Sequence, residues 1–281
     1  MKTDERVVRR LGYLCKSYDG IKKLITQSKQ RIVSMVPEFE PKHQDEIVLM
    51  EKIKDRLATE IERELRYFPL YMRWLKHVPG AGPFVCGNLI ILYYFKFTKI
   101  CKDCGGVLIQ DTKKGGDELA GMKCSACGKK PKGDGVFNYR IDERDFATIS
   151  KWWAFLGRKP VDGKMPKRRS GSKIDWNPKG RLAGYEFAQQ LIRQAGSTEY
   201  SAFYLKEKAQ LTELRGAELK KGHIHNMALN KAVKLFLAHF WMVARTIDEK
   251  TVTRPYAETI MGHSGILEPF YWEPEKWKDA A

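Results

Sequence analysis

Along the first quarter of the chain, apolar positions recur in alternating steps of four and three. Val7, Leu11, Leu14, Tyr18, Ile21, Ile25, Ser28, Ile32 and Met35 keep this rhythm over four heptads, with Ser28 as its polar member. Such spacing puts all nine on one helical stripe and is the seam pattern of a coiled coil. Gly12 and Gly20 weaken this helix without interrupting the stripe. Pro37 and Pro41 end it, and a second stripe runs through Ile47, Met50, Ile53, Leu57, Ile61, Leu65 and Phe68 to a kink or stop at Pro69. Two long helices with a short link predict an antiparallel hairpin over residues 1–70. Its seam either packs on the rest of its own domain or serves as a homodimerisation arm.

Residues 71–98 change character. A helix end meets Val78-Pro79-Gly80-Ala81-Gly82, and a new apolar helix starts at Pro83. This is the pattern of a helix-hairpin-helix, in which glycines let backbone amides approach a phosphate and the following helix dipole favours its charge. Gly80 and Gly82 are the candidate phosphate contacts, with Arg73 and Lys76 as basic partners. A plain glycine-rich turn between core helices is the competing reading.

Further on, residues 134–140 read as a glycine turn and a short strand, and 143–156 as a helix whose Trp152, Trp153 and Phe155 suit the core better than base-stacking platforms. Amphipathic helices are predicted over 179–195 and 200–214. A long, densely apolar helix follows over 224–247, with Lys231, Lys234 and Arg245 pointing outward and the tail over 254–274 packing on the core. His223, His225, His239 and His263 lack acidic or cysteine partners at fixed spacing, so caps, packing or phosphate contacts suit them better than a metal.

Charge adds what periodicity cannot. The 51 Lys and Arg against 34 Asp and Glu give a net charge of +17, the footprint of a protein that meets a polyanion. Part of it concentrates in 158–181, where Arg158, Lys159, Lys164, Lys167, Arg168, Arg169, Lys173, Lys179 and Arg181 are interspersed with Gly, Ser and Pro and opposed only by Asp162 and Asp175. A basic loop of this composition folds onto a phosphate backbone. A solvated linker is the bland alternative. The longest apolar run, Leu89 to Phe95, is far shorter than the roughly 20 residues of a membrane span. No signal core opens the sequence, so a cytoplasmic or nucleoid-associated protein without a membrane partner is expected.

The sharpest local chemistry lies in the cysteines. Cys101 and Cys104 form one CxxC pair, Cys124 and Cys127 a second, with nineteen residues between them. Two such knuckles present four thiolates to one tetrahedral ion, which predicts a structural Zn²⁺ site in a zinc ribbon over 99–140. A redox pair, a disulfide framework and an iron–sulfur cluster are the alternatives. Gly105, Gly106 and Gly128 follow the pairs where turns toward the sulfurs need them. Cys15 and Cys86 stand apart, as in a reducing compartment.

The order of parts resembles the C-terminal half of the insertion-sequence transposases that join an N-terminal RuvC-like DEDD domain to a serine-bearing domain. The resemblance rests on the hairpin, on VPGAGPFVCGNL, on the basic GRKP to KGRL loop and on HIHNMALNKAVKLFLAHFW, and it covers nearly the whole chain through loose motifs. Phe155-Leu156-Gly157-Arg158-Lys159-Pro160 stands for the family phrase GLxP, and Ser170 or Ser172 falls where the family places its serine. The resemblance implies a serine that attacks DNA, working with acidic residues and a divalent metal. Those are absent here, and a serine without a base is a weak nucleophile, so a separate RuvC-like chain would have to complete the site.

The expected fold is therefore mainly α. It comprises a long helical coiled-coil hairpin and a helix-hairpin-helix helical domain with an inserted four-cysteine zinc ribbon, the helical C-terminal domain spanning 141–281. The expected function is zinc-containing nucleic-acid binding, with DNA ahead of RNA. Its alternatives are a serine-dependent DNA strand-transferase subunit and an assembly protein using the coiled coil.

Overall fold

The computed structural model describes residues 4–34, 40–112, 119–130, 137–161, 165–167, 174–252 and 267–273. The protein is mainly helical. Its described residues form eight α-helices and four short strands, divided into two compact units.

The first unit comprises Met1–Ile90 and Phe146–Ala281. Helix α1 (Glu5–Val33) begins at Asp4, whose carboxylate accepts the Arg6 amide and so satisfies an otherwise orphaned N–H. It packs along α2 (Glu40–Leu65). The direction is antiparallel, since Arg10 near the start of α1 pairs with Glu64 at 3.1 Å while Lys29 near its end pairs with Glu51 at 2.7 Å. Leu11, Leu14 and Ile25 of the predicted stripe are buried, joined by Val8 and Cys15. On α2, Ile47, Ile61 and Leu65 are buried, but Ile53 is 41% exposed, so the second stripe is not covered along its whole length. Cys15 and Cys86 are both buried, and desolvation raises both thiols, Cys15 to about 12.

Phe68 leads into α3 (Pro69–Arg73), in which Pro69 takes the first helical turn that it suits best. A 3-10 turn over Leu75–His77 follows, and α4 (Pro83–Tyr94) starts at the expected proline. Gly87 lets α4 approach the α1–α2 pair closely, because a Cβ there would lie 2.7 Å from Cys15 Sγ and 3.3 Å from Ile61 Cγ2.

The core of this unit is built on α8 (Lys221–Ile247), packed by α5 (Ile149–Phe155), α6 (Pro178–Arg193) and α7 (Glu199–Arg215). Phe236 stacks on Phe187 with centroids 3.9 Å apart and meets Tyr200 edge-on at 5.6 Å, while Phe240 stacks on Trp152 at 5.7 Å. Two of the buried indoles are also satisfied as donors: Trp74 Nε1 donates to the Phe270 carbonyl and Trp241 Nε1 to that of Phe146, each at 2.7 Å. Phe270 is half-buried against Tyr200 and His239, so the described part of the tail does pack on the core.

Two helical expectations change. The helix predicted over 143–156 begins only at Ile149, capped by the Thr148 side chain, because the chain through Glu143 is instead committed to a strand ladder. Arg245 does not point outward. It is 7% exposed and donates to the carbonyls of Thr251 and Phe146, closing the end of α8.

The second unit, Ile91–Asp145, holds all four strands. Strand β1 (Phe95–Cys101) pairs antiparallel with β4 (Phe137–Glu143), from Phe95 opposite Glu143 to Cys101 opposite Phe137. Strand β2 (Leu108–Thr112) pairs antiparallel with β3 (Leu119–Cys124), with Leu108 opposite Cys124. A bridge between Ile100 and Val107 links the two ladders.

Candidate metal centre and nucleic-acid interface

Both cysteine pairs sit at strand ends. Cys101 closes β1 and Cys124 closes β3, and both are buried in a small core with Leu108 and Met122, whereas Cys104 and Cys127 stand in the exposed turns that follow. All four sulfurs lie within 4.8 Å of one another, with Cys101 to Cys127 at 3.9 Å and Cys104 to Cys124 at 3.4 Å. A tetrahedron of metal–thiolate bonds of about 2.3 Å requires sulfurs about 3.8 Å apart. Four thiols at these separations, none in a disulfide, can hold one metal ion.

The two turns are built alike. The Gly105 amide donates to Cys101 O at 3.0 Å and the Cys101 amide to Gly106 O at 2.8 Å. In the second turn Gly128 donates to Cys124 O at 3.1 Å and Cys124 to Lys129 O at 2.9 Å. Gly105 and Gly128 take φ values of +72° and +69°, the left-handed region in which a side chain is strained. Gly106 serves a different need. A Cβ on it would lie 2.7 Å from Ala126 Cβ and 2.8 Å from Cys124 Sγ, so a glycine here lets one turn lie against the other. The Ser125 amide, donating to Val107 O at 2.9 Å, ties the turns together. The amide of Cys127, seconded by that of Ala126, holds the Cys124 thiol down at about 6 against the cost of burial, favouring the thiolate that a metal needs.

In the first unit, the Val78 to Gly82 turn opens onto a cavity of about 470 Å³ lined in part by Tyr18, Lys22, Glu62, Lys76, Phe84 and Glu186. Lys22 is paired with Glu186 at 2.5 Å, so positive and negative side chains share these walls. Gly80 has a φ of +87°, and a Cβ on it would lie 2.9 Å from Gln190 Cβ on α6. Its glycine thus has a packing reason as well as a conformational one. Among the described residues, no side chain or backbone would obstruct a Cβ at Gly82. Lys76 is exposed at the cavity and Arg73 half-buried.

The basic loop is anchored at both ends onto α5, α6 and α8. The Trp176 ring lies 3.0 Å from where a Gly157 Cβ would be, Asn177 donates its amide to Phe155 O at 2.7 Å, and its side chain caps α6 at Gly180. Arg181 stacks over Trp176 at 4.8 Å from the ring centre and donates to Pro166 O. Arg158 passes inward, donating to Asn230 Oδ1 at 3.3 Å and to Arg181 O at 3.1 Å. Desolvation, reinforced by the Arg181 charge, lowers its guanidinium to about 10. Around this floor Lys159, Lys167 and Lys179 are exposed, and none has a carboxylate partner among the described residues.

The structure thus brings together the four cysteines, and it places Lys167, Lys179 and Arg181 around one floor. It puts Arg73, Lys76, Gly80 and Gly82 at a separate cavity. Arg168, Arg169, Ser170, Ser172 and Lys173 lie outside the described residues. Sequence reasoning missed Asn230, Trp176 and Gly184, which shape the floor, and it read Arg158 only as one more loop charge. The interior glycine of α6 was the available signal, since glycine inside a helix costs about 1 kcal/mol and calls for a reason. In sequence the chain matches no known protein family and no curated protein.

Proposed function

We propose that this chain is a zinc-containing nucleic-acid-binding protein that grips the phosphate backbone without reading base sequence, with DNA ahead of RNA as its partner. The observation that carries this reading is the trio of exposed lysines, Lys159, Lys167 and Lys179, without carboxylate partners among the described residues, on a chain of net charge +17. Positive charge uncompensated by the protein's own acids is what a polyanion neutralises with release of its counterions.

Zinc is the ion that suits four thiolates best. With every coordination position filled by sulfur, no water is activated, and the metal's role is to brace the ribbon. In this reading the α1–α2 pair is a coiled-coil arm able to join two copies. The Val78 to Gly82 turn is a helix-hairpin-helix that adds phosphate contacts, and the chain is related to the serine-bearing half of a transposase.

The test is duplex binding across a salt series. Replacing Lys159, Lys167 and Lys179 together by alanine is expected to flatten the slope of log K against log salt by about 2.7, at 0.9 per phosphate neutralised. An unmodified protein whose affinity does not change with salt would sink the reading. One zinc per chain is expected from elemental analysis of protein purified without added metal.

A further inference from the structure

Arg158 presents a problem of its own. Its guanidinium is drawn inward against α6 and α8, where its described partners are two neutral oxygens, Asn230 Oδ1 and Arg181 O. Its Nε is fully enclosed and hydrogen-bonded to nothing among the described residues. Besides desolvation, the charge that acts on it is that of another cation, Arg181. Taking a guanidinium out of water without an opposite charge costs several kcal/mol, so such groups are normally paired.

The surroundings are nonetheless shaped for it. Gly184 sits in the interior of α6, and a Cβ there would lie 2.8 Å from Arg158 Nη2 and 3.1 Å from Nε. The helix gives up a side chain so that the guanidinium can lie flat against its backbone. Asn230 is held in turn by Met165, to whose sulfur its amide donates at 3.4 Å, and Arg181 by Trp176 and Pro166. Arg158 itself remains partly open to solvent.

We propose that Arg158 and Arg181, set by Gly184, Asn230 and Trp176, form an oxyanion site that takes a phosphate group. Guanidinium groups offer planar pairs of N–H donors that match two oxygens of a phosphate, and they stay charged at every physiological pH. A bound phosphate supplies the negative charge that the described protein groups around Arg158 do not. The phosphate comes either from the free ion or from a nucleic-acid strand crossing the basic face. The site therefore does not require the nucleic-acid reading, and the two stand or fall separately.

The experiment uses the full chain, with sodium phosphate titrated against chloride at constant ionic strength while thermal unfolding and phosphorus NMR line width are followed. Millimolar phosphate is expected to raise Tm by several degrees and to broaden the phosphorus line. In Arg158→Gln both responses disappear, while Tm in chloride alone stays level or rises, because an uncompensated buried charge has been removed. Gly184→Ala provides the second variant: it keeps both arginines and improves helix propensity, yet displaces the guanidinium, so it too loses the phosphate response. A phosphate response equal in all three proteins overturns the site, and so does its absence from the unmodified one. A dT20 oligonucleotide that competes the phosphate off identifies the strand as the source. Phosphate binding without competition keeps the site and assigns it to the free ion.

Discussion

In the proposed reading, the four-cysteine unit and the helical unit solve the same problem by opposite means. Around the knuckles Cys101, Leu108 and Cys124, with Met122 against them, form one small cluster among the described residues, little with which to hold short strands in water. The helical unit buries Trp74, Trp152, Trp241, Tyr200, Phe187, Phe236 and Phe240 around one long helix. A few bonds to an ion can replace a core, because each thiolate bond ties together turns that apolar contact would hold only weakly. The contrast also has a consequence for function. A metal with four sulfur ligands is chemically closed, whereas the helical unit carries the exposed Lys159, Lys167 and Lys179 on which the proposed binding rests.

This contrast can be broken most sharply at the metal. Removing zinc with a chelator, or replacing Cys124 by serine, is expected to cost the ribbon on the order of 10 kcal/mol of binding free energy that doubles as folding free energy. Amide exchange would then rise throughout β1 to β4 and stay slow in α8. Exchange that rises equally in both units would show that the contrast is false.

The reverse perturbation is smaller. Phe236→Ala leaves a cavity beneath Phe187 and Trp74 and should cost about 3–5 kcal/mol. It should lower the urea midpoint of the helical unit while zinc content stays at one per chain. Loss of zinc in this variant would tie the two units together more tightly than the contrast allows.

Acid separates them next. His239 receives the Tyr200 hydroxyl at Nδ1, 2.7 Å away, and its Nε2 meets the Leu267 carbonyl at 2.9 Å, the arrangement of a neutral imidazole. Burial lowers its pKa from 6.5 to about 4. Between those values the unfolded chain binds a proton that the folded one refuses, so stability is complete above about pH 6.5. It falls as the pH drops toward 4, by about 3 kcal/mol in all. Urea titrations of the helical unit at a series of pH values should show this slope, and His239→Gln should remove its share of it.

The smallest effect belongs to the loop anchor. Asn177→Ala deletes the cap of α6 and should cost about 1 kcal/mol, visible as a modest drop in Tm with zinc content unchanged.

How much of this was legible in advance depended on the range of the forces involved. The four cysteines could be read directly because each ligand pair is local, and the spacing of a CxxC turn is nearly the geometry of half a tetrahedron. The α1 stripe could be read for a related reason, since burial follows a period of 3.6 residues along one helix. Ile53 shows the limit, because the stripe marks an apolar face without saying how far its partner extends over it. Glu143 shows another, since a ladder with Phe95, 48 residues away in sequence, took the residues that local pattern assigned to a helix.

The amino-acid sequence by itself determined the four cysteines that can hold a metal, the helical character of the chain and the excess of positive charge, because these follow from local spacing and composition. Only the tertiary structure decided which charges face solvent and which turn inward. Arg245 and Arg158 read like any other basic residue until the carbonyls, the glycine and the neighbouring arginine that surround them are brought from distant parts of the chain. The cost of a buried charge depends on everything within a few ångströms of it, and that neighbourhood exists only once the chain has folded.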